Sequence, residues 1–370
     1  MNILAAPNSM KGSLDAFDFS DAIEKAFLDV SGSFKVKKIP VADGGDLTGE
    51  VLCRALNAKT VQTVARDPLG RGITVQYAVS GNTAIIEMAN VSGMKLLDEE
   101  ELNPMVASSY GTGELILDAA SRGCTNILLG VGGSATVDGG SGMLQALGAK
   151  YFNSGGDELP GNGGALSQIS SIRFTPLIHN IKINIISDVE NPLLGENGAA
   201  CVFGPQKGAT PEMAIELEKG LSNWSRLLGK FSDKDIPNMP GAGAAGGIAT
   251  GLVACLNARV VPGADFILGI LKIDEAIKWA DLVITGEGKI DGQTLGNKAP
   301  YAVAKRAKKM GKTVIAIGGA YEMEASTAFD GIFSIANKPM TIETAMENAE
   351  TLVGQVAGQI ALLVNKINSK

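Results

Sequence analysis

Short apolar runs alternate with longer amphipathic segments along most of the chain. Apolar residues recur at helical spacing over residues 15–30, between strand-like runs at 2–6 and 34–39. The same alternation returns near the other terminus, where an apolar run at 280–285 precedes a helical pattern at 300–310. Strands that alternate with helices favour βαβ units. We therefore predict two α/β domains with mostly parallel sheets.

The remaining periodic segments complete this prediction. Strands are expected at residues 60–65, 73–79, 83–88, 126–131, 181–186 and 313–318, and helices at 48–56, 109–121, 211–228 and 342–367. The fully apolar strands near both termini are alike, whereas the middle of the chain is richer in glycine. We expect a discontinuous Rossmann-like domain of residues 1–80 plus 281–370, with residues 81–280 inserted as a glycine-rich domain.

Composition narrows the class of protein. The chain has 370 residues, of which 45% are hydrophobic and 19% charged, so a sizeable core is available. A net charge of −7 argues against nucleic-acid or anionic-membrane partners. The chain has no apolar run of about 18 residues and begins without a signal-peptide pattern, which predicts a cytoplasmic protein. The sequence leaves a homodimer open.

Glycine is the compositional outlier, with 47 copies. Its densest stretch, GVGGSATVDGGSGMLQALG at residues 130–148, joins a predicted strand to a helical run. Glycine permits positive φ and close approach of a ligand, and the N–H groups at a helix N-terminus attract anions. We expect a phosphate cradle here; the alternative is a tight strand–helix turn packed by its glycines. A further stretch, FGPQKGATP, contains Lys207, which is expected to contact a second anionic group.

Five loops have a common composition, because each follows an apolar strand and combines glycine or asparagine with an acid, a lysine or a hydroxyl. They are PNSMKGS (7–13), VADGGD (41–46), GGSATVDGG (132–140), SDVENPLLG (187–195) and TGEGKIDGQT (285–294). Ligands of open α/β sheets bind beyond the carboxyl ends of the strands. We therefore expect these loops to form binding sites as a set.

Charged side chains on these loops are suited to phosphoryl transfer. Lys11, flanked by Ser9, is placed to neutralise a phosphoryl group, although a solvated surface lysine is the alternative. Carboxylates at strand ends can hold Mg²⁺ or accept the proton of an attacking hydroxyl, and a helix cap or turn is the alternative for each one. The four candidates are Asp43, Asp188, Glu287 and Asp291.

Two further features bear on the chemistry. In ARDPLGR, Arg66 and Arg71 flank a turn and could hold the carboxylate of an acidic substrate, with a surface turn closed by salt bridges as the alternative. The single histidine, His179, has no serine or cysteine motif beside it, which disfavours a Ser–His triad.

Several long stretches resemble the bacterial type 1 glycerate kinases, which also serve glyoxylate, glucarate and galactarate breakdown. The likeness runs nearly end to end and includes PNSMKGSL, PVADGGD, DPLGR, GGSATVDGGSGMLQALGA, SDVENPLLGENGAACVFGPQKGATP, PGAGAAGGIATGL and ADLVITGEGKIDGQTLGNKAP. The chain departs from the family pattern at Asn8, Met10 and Val137, and DGGDLT (43–48) replaces the family's usual acidic-glycine-threonine ending. The resemblance implies two α/β domains, one discontinuous, with an active site in the cleft between them.

The resemblance also implies Mg²⁺- and ATP-dependent phosphorylation of D-glycerate, most often at the 2-hydroxyl and by direct in-line transfer. The expected catalytic residues are Lys11 and two candidate proton acceptors, Asp188 and Asp43. The expected metal ligands are Asp188, Glu287 and Asp291, and the expected substrate contacts are Arg66, Arg71 and Ser9. The expected contacts with the ATP phosphates are Gly132, Gly133, Ser134, Ala135, Thr136, Asp138 and Lys207.

Two other classes stay open at this stage. A non-catalytic sugar-acid sensor would have the same cleft, but it would not need carboxylates at four strand ends. A nicotinamide-dependent oxidoreductase would use Gly130, Gly132 and Ala135 as a G-x-G-x-x-A fingerprint. No strand with an acidic end follows that fingerprint at the expected spacing, which disfavours the oxidoreductase.

Overall fold

The structure, a computed structural model, describes residues 1–45, 47–292, 294–296 and 298–368. Asp46, the last residue of the loop 41–46, and Gln293, the next-to-last residue of the loop 285–294, lie outside the described residues. Strands and helices alternate along most of the described chain. No described helix is both long enough and apolar enough to cross a membrane.

The strands are β1 (Asn2–Ala5), β2 (Lys35–Lys38), β3 (Lys59–Arg66), β4 (Gly72–Ser80), β5 (Thr83–Glu87), β6 (Asn126–Gly130), β7 (Ala149–Phe152), β8 (Glu158–Leu159), β9 (Ser171–Phe174), β10 (Lys182–Ile186), β11 (Arg259–Val261), β12 (Leu282–Ile290), β13 (Thr313–Tyr321) and β14 (Gly331–Ser334). The helices are α1 (Ala16–Val30), α2 (Thr48–Ala55), α3 (Ala89–Ser92), α4 (Tyr110–Ser121), α5 (Ser141–Ala146), α6 (Ala199–Phe203), α7 (Pro211–Leu228), α8 (Ala244–Leu256), α9 (Gly263–Ile270), α10 (Ile273–Trp279), α11 (Ala299–Lys309), α12 (Ile342–Glu347) and α13 (Ala349–Asn368). Short 3₁₀ turns occur at Met94–Leu96, Glu99–Glu101, Gly163–Gln168, Pro205–Lys207 and Met323–Ala328.

The chain divides into two compact units. The first consists of Met1–Ala55 and Gly263–Lys370, and the second is Leu56–Pro262. The predicted division, 1–80 plus 281–370 and 81–280, has the same order of segments, but both of its boundaries lie later in the chain. The difference arises because β3 and β4 pair within the sheet of the second unit, whereas α9 and α10 pack in the first.

The first unit is built on a five-stranded parallel sheet with the strand order β14-β13-β12-β1-β2. Alternate residues of a strand point to opposite faces of the sheet. Accordingly, Ile3 of β1 packs into a core with α1 and α13, whereas Leu4 packs into a second core with α9, α10 and α11. The sheet is therefore covered by helices on both faces, as parallel sheets usually are.

The connections of this sheet create a topological switch point, where the direction in which successive strands are added to the sheet reverses. From β1 the chain passes through α1, on one face, to β2. From β12, the neighbour of β1, it passes through α11, on the other face, to β13. The loops after β1 and β12 thus lead away in opposite directions, which opens a crevice at their carboxyl ends.

The second unit contains a six-stranded sheet with the order β11-β10-β6-β5-β4-β3. Its strands β11, β10, β6 and β5 are parallel, while β4 and β3 add an antiparallel edge. A separate antiparallel sheet of β8, β7 and β9 was not predicted. The core contains the buried Trp224, whose ring meets Tyr151 edge-on and whose Nε1 donates to Gly139 O at 2.9 Å.

The predicted fold class, an α/β protein with mostly parallel sheets, is confirmed. Two predicted elements differ in extent. The strand expected at 280–285 extends through β12 to Ile290, because its pairing with β13 continues from Leu282↔Thr313 to Ile290↔Tyr321. The helix expected at 342–367 is two helices, since α12 ends at its C-cap residue Asn348 and α13 begins at Ala349.

Candidate active site

A cavity of about 570 Å³ lies at the carboxyl edge of the parallel sheet in the first unit. Its lining comes from the residues after β1, β2 and β14, from the last residues of β12 and β13, and from α12. This is the crevice where the connections of β1 and β12 diverge. The cavity therefore occupies the position in which open α/β sheets bind ligands.

Two carboxylates, Asp43 and Glu287, lie at the polar end of this cavity. Asn8 Nδ2 donates to Asp43 Oδ2 at 3.2 Å, and the buried Glu287 accepts a 2.6 Å hydrogen bond from Thr294 Oγ1. Burial raises the pKa of Glu287; Thr294 and Lys298 oppose this rise, and the charge of Asp43 adds to it. The two carboxylates are thus close enough to influence each other's charge.

Backbone geometry fixes the position of each carboxylate. The β1–β12 pairing continues into the loop, where Asn8 N donates to Gly286 O at 2.8 Å, and this places Asn8 beside Glu287. Asp43 follows β2 and accepts from Gly45 N at 3.2 Å, in a turn that Gly44 enters with φ +94°. Only glycine adopts such a φ without strain, so the sequence DGG fits this turn.

Three lysines, Lys11, Lys289 and Lys298, line the same cavity. Lys298 Nζ is 3.8 Å from Glu287 Oε2, and Lys289 pairs with Asp291 at 3.2 Å. Lys11 lies on the exposed part of the loop after β1. Ammonium groups interleaved with carboxylates can bind a phosphate chain together with a divalent cation.

The donor set fits Mg²⁺ held jointly by the protein and a phosphate ligand. Among residues 1–45, 47–292, 294–296 and 298–368, no group of three or more histidine, cysteine, aspartate or glutamate side chains forms a preformed metal site. Nucleotide-bound Mg²⁺ usually takes only one or two carboxylates, with waters and phosphates supplying the other ligands. Asp43 and Glu287 form such a pair.

The predicted metal ligands were Asp188, Glu287 and Asp291. Glu287 and Asp291 lie in the first unit and Asp188 lies in the second, and their joint binding of Mg²⁺ stays a prediction. Asp291 is ion-paired with Lys289 and accepts a hydrogen bond from Thr294 N at 3.3 Å. Asp188 is half-buried and directly follows β10 in the second unit. The carboxylate pair that the structure brings together is Asp43 with Glu287.

In the second unit, the glycine-rich loop follows β6, whose parallel neighbour β10 leads to Asp188. Asp138 is completely buried within this loop. It accepts from Ser109 N and Ser109 Oγ at 2.8 and 2.6 Å, and from Gly140 N at 3.0 Å. Burial raises its pKa, while these hydrogen bonds act in the opposite direction. Asp138 therefore holds the loop against α4 and α5.

Lys207 is also buried, with 1% of its surface exposed. Its Nζ donates to Ser134 Oγ and to Thr136 O, both at 2.7 Å. Burial lowers the pKa of Lys207 to about 7, and the nearby Asp138 opposes this shift. The amino group of Lys207 thus supports the glycine-rich loop from within the protein.

The predicted phosphate contacts differ in exposure. Of these residues, only Gly132 and Gly133 are exposed. The others are buried and help to shape the loop, and their contact with phosphate stays a prediction: Ser134, Ala135, Thr136, Asp138 and Lys207. Direct phosphate contact by Gly132 and Gly133 stays a prediction.

Both arginines that were expected to bind substrate have protein partners. Arg71 pairs with Asp67 and with Glu101, at 2.5 and 2.6 Å, and these carboxylates raise its pKa. The Arg66 guanidinium stacks on the Tyr110 ring, with 4.4 Å from Cζ to the centroid. This geometry matches the alternative of a surface turn closed by salt bridges, and binding of a substrate carboxylate stays a prediction.

The structure brings four predicted residues to one cavity, since Ser9, Lys11, Asp43 and Glu287 all line it. Sequence reasoning missed Lys298, although this residue lies in the quoted stretch GNKAP. The available signal was its position as N-cap of α11, with Pro300 in the first turn.

A cavity lined by acids and lysines at the switch point of a parallel sheet is typical of α/β enzymes that handle phosphate-bearing ligands. Within that class, residues 3–365 match the model of the family described as "Glycerate kinase family". The chain therefore belongs to the glycerate kinase family and is a kinase.

Individual relatives agree with this family assignment. A glycerate kinase of Halalkalibacterium halodurans and a glycerate 2-kinase of Escherichia coli are each 40% identical, over 98% of this chain and 97% of the relative. The crystal structure of a proposed glycerate kinase 2 from Salmonella typhimurium LT2 is 37% identical. It superposes with a TM-score of 0.89 and covers 100% of both chains.

Proposed function

We propose that the protein transfers the γ-phosphoryl group of ATP to the 2-hydroxyl of D-glycerate, giving 2-phosphoglycerate and ADP. The observation that carries this proposal is the polar end of the cavity, where Asp43 and Glu287 lie among lysines at the sheet's switch point. The names of the relatives, glycerate kinase and glycerate 2-kinase, support the substrate and the position of transfer.

In this proposal Asp43 and Glu287 hold Mg²⁺ together with the nucleotide phosphates. The bound cation would neutralise phosphate charge. Lys11 and Lys298 act as fixed positive charges toward phosphate oxygens, and Thr294 keeps Glu287 oriented through its 2.6 Å hydrogen bond. Such a site works mainly by positioning and by charge stabilisation, so it needs no histidine or cysteine nucleophile.

We assign proton acceptance to Asp188. As the glycerate hydroxyl oxygen bonds to the γ-phosphorus, the bond from that phosphorus to the β-phosphate oxygen breaks and ADP leaves. The hydroxyl proton passes to the Asp188 carboxylate. We prefer Asp188 to Asp43 for this role because the proposal already uses Asp43, together with Glu287, to hold Mg²⁺. Arg66 and Arg71 remain the proposed contacts for the glycerate carboxylate, with Ser9 as a further substrate contact.

Proton-coupled phosphorus NMR tests this function in one experiment. The purified protein is incubated with Mg-ATP and D-glycerate, and a sample without glycerate measures plain ATP hydrolysis. Phosphate on the C2 oxygen couples to the single C2 proton and gives a doublet, whereas phosphate on the C3 oxygen couples to two protons and gives a triplet. We expect ADP and a doublet. A triplet would overturn the regiochemistry, and the absence of any new phosphate ester would overturn the function.

A further inference from the structure

The short helix α12 turns Ile342 and Met346 away from the core. Ile342 is 75% exposed and Met346 is 38% exposed, and no residue of this six-residue helix is buried. Residues four apart lie on the same face of a helix, and both of these side chains line the cavity. A surface helix normally directs its apolar stripe toward the core. Here the stripe faces an open cavity, which is the position of a ligand-contacting surface.

The α12 helix is held in place by contacts that leave this face open. Thr341 caps it by accepting a hydrogen bond from Thr344 N at 3.2 Å. Ser13 Oγ donates to Met346 O at 2.9 Å. A Cβ atom on Gly12 would lie only 3.2 Å from Met346 Cε, so the loop after β1 packs closely on the helix. That loop also carries Lys11, which links the apolar wall to the polar end of the cavity.

The apolar wall is larger than α12 alone. Met10, Ala320, Ile335 and Ala345 line the same cavity as Ile342 and Met346. A volume of about 570 Å³ is in the range that holds a drug-sized ligand, far larger than a three-carbon acid. The cavity thus has a polar end suited to phosphates and an apolar wall that glycerate would leave uncovered.

We propose that this apolar wall binds the purine ring of the nucleotide, with Met346 and Ile342 against the ring and the phosphates directed toward Asp43 and Glu287. This inference rests on the proposed function, because it assigns a subsite to its phosphoryl donor. A flat, polarisable ring suits a methionine-containing surface, since the thioether makes favourable contacts with aromatic systems. Through the Ser13–Met346 hydrogen bond, the bound ring also stabilises the loop that positions Lys11.

Calorimetric titration measures the subsite without turnover. The wild-type protein and the double variant Ile342→Ala/Met346→Ala are titrated with Mg-ATP and, separately, with Mg-tripolyphosphate, which lacks the base. We expect the double variant to bind ATP about tenfold more weakly and tripolyphosphate equally well. In assays of glycerate phosphorylation, the KM for ATP should rise about tenfold while the KM for glycerate changes less than about twofold.

Two control variants distinguish the loss of the apolar wall from the general effects of shortening a side chain. Ile367→Ala removes another exposed apolar side chain, from α13 and outside the cavity lining, and should leave both affinities unchanged. Met346→Leu keeps an apolar side chain of similar volume and should retain ATP affinity within about twofold.

Unchanged ATP affinity in the double variant overturns the base subsite. If that variant fails to fold, the titrations of the wild-type protein still test the proposal. Equal affinities of the wild type for Mg-ATP and Mg-tripolyphosphate would contradict a contact with the base. These outcomes differ from failure of the proposed function, in which the wild type makes no phosphoglycerate whatever nucleotide it binds.

Discussion

Asp43 combines two roles that can be separated by changing one atom. Its Oδ1 accepts from Gly45 N within the turn, and its charge lies next to Glu287 at the polar end of the cavity. Asp43→Asn keeps an oxygen for the turn and removes the charge. We expect kcat to fall at least about 100-fold, because positioned charge is the main source of catalysis in phosphoryl transfer.

Steady-state kinetics across a range of Mg²⁺ concentrations measures this effect, and urea unfolding checks that stability is preserved. The exposed Asp233, changed to asparagine, is the matched control and should leave kcat unchanged. Near-normal turnover of Asp43→Asn at all Mg²⁺ concentrations would remove Asp43 from the site.

Lys207 should make the free energy of unfolding rise with pH above about pH 7. Burial lowers its pKa in the folded protein to about 7, from an ordinary value of 10.5. Between these values the unfolded chain binds one more proton, so the free energy of unfolding rises with pH, by at most about 1.4 kcal/mol per pH unit. Below about pH 7 both states are protonated and this contribution no longer changes.

Urea unfolding of the wild type and of Lys207→Met, between about pH 7 and pH 8.5, tests this expectation. The free energy of unfolding should increase with pH in the wild type. In the variant, the slope of this increase should be smaller by about the amount that one bound proton contributes. The exposed Lys230, changed to methionine, should keep the wild-type slope. Equal slopes in all three proteins would mean that Lys207 is not a neutral buried amine above pH 7.

At this scale, the sequence located residues better than it assigned their roles. Lys11, Asp43 and Glu287 were predictable because each closely follows a run of residues that the sequence predicts as a strand, and all three line the cavity. Lys207 and Asp138 were found beside the right loop, but no periodic pattern indicates which side of a glycine-rich loop faces the protein. Their burial therefore emerged only from the packing of α4, α5 and α8 around the loop.

At the scale of elements, glycine maintains a close approach between α8 and the loop after β6. Gly246 has φ +73°, and a Cβ atom there would lie 2.0 Å from Thr136 O, the acceptor of the Lys207 ammonium group. Gly246→Ala combines backbone strain with a clash against main-chain atoms. We expect it to lower the free energy of unfolding by about 2–5 kcal/mol.

Gly81 offers a matched comparison, because it has φ +58° and nothing within 4 Å of the added Cβ. Gly81→Ala should therefore cost only the left-handed conformation, about 1–2 kcal/mol. Chemical denaturation of both variants gives the two values. An equal loss in each would show that the contact with Thr136 contributes nothing.

Most elements followed from hydrophobic periodicity, and the exceptions have physical reasons. Ile342 and Met346 have the spacing of a helical stripe, so residues 342–367 read as one helix, but the first part of that stripe faces a cavity. The end of β12 contains GEGKI, whose composition resembles a loop although it pairs with β13. The strands β7 to β9 are too short and too polar to give a clear pattern.

At the scale of the whole molecule, each unit has its own sheets and its own buried hydrophobic residues. The core of the second unit is formed entirely by residues between Ala65 and Ala258. Periodicity identified the strands β3 and β4 but could not show which sheet they join, and this is why the predicted boundaries differ from the observed ones. Pairing of distant segments is a property that single-sequence patterns do not record.

A fragment of residues 56–262 should therefore fold alone. We expect a cooperative thermal transition and the fluorescence of a buried Trp224, its single tryptophan. A fragment of residues 81–280 lacks β3 and β4 and should unfold at lower temperature or without a cooperative transition. If the fragment of residues 56–262 shows no cooperative transition, the second unit is not an independent folding unit.

The proposed chemistry requires the nucleotide phosphates to bind at the polar end of the cavity in the first unit. A crystal structure of the protein grown with Mg²⁺ and ADP tests this placement. We expect electron density for the diphosphate near Lys11 and Lys298, with the cation bound by Asp43 and Glu287. Density for ADP at any other place, with this cavity empty of nucleotide, would contradict it.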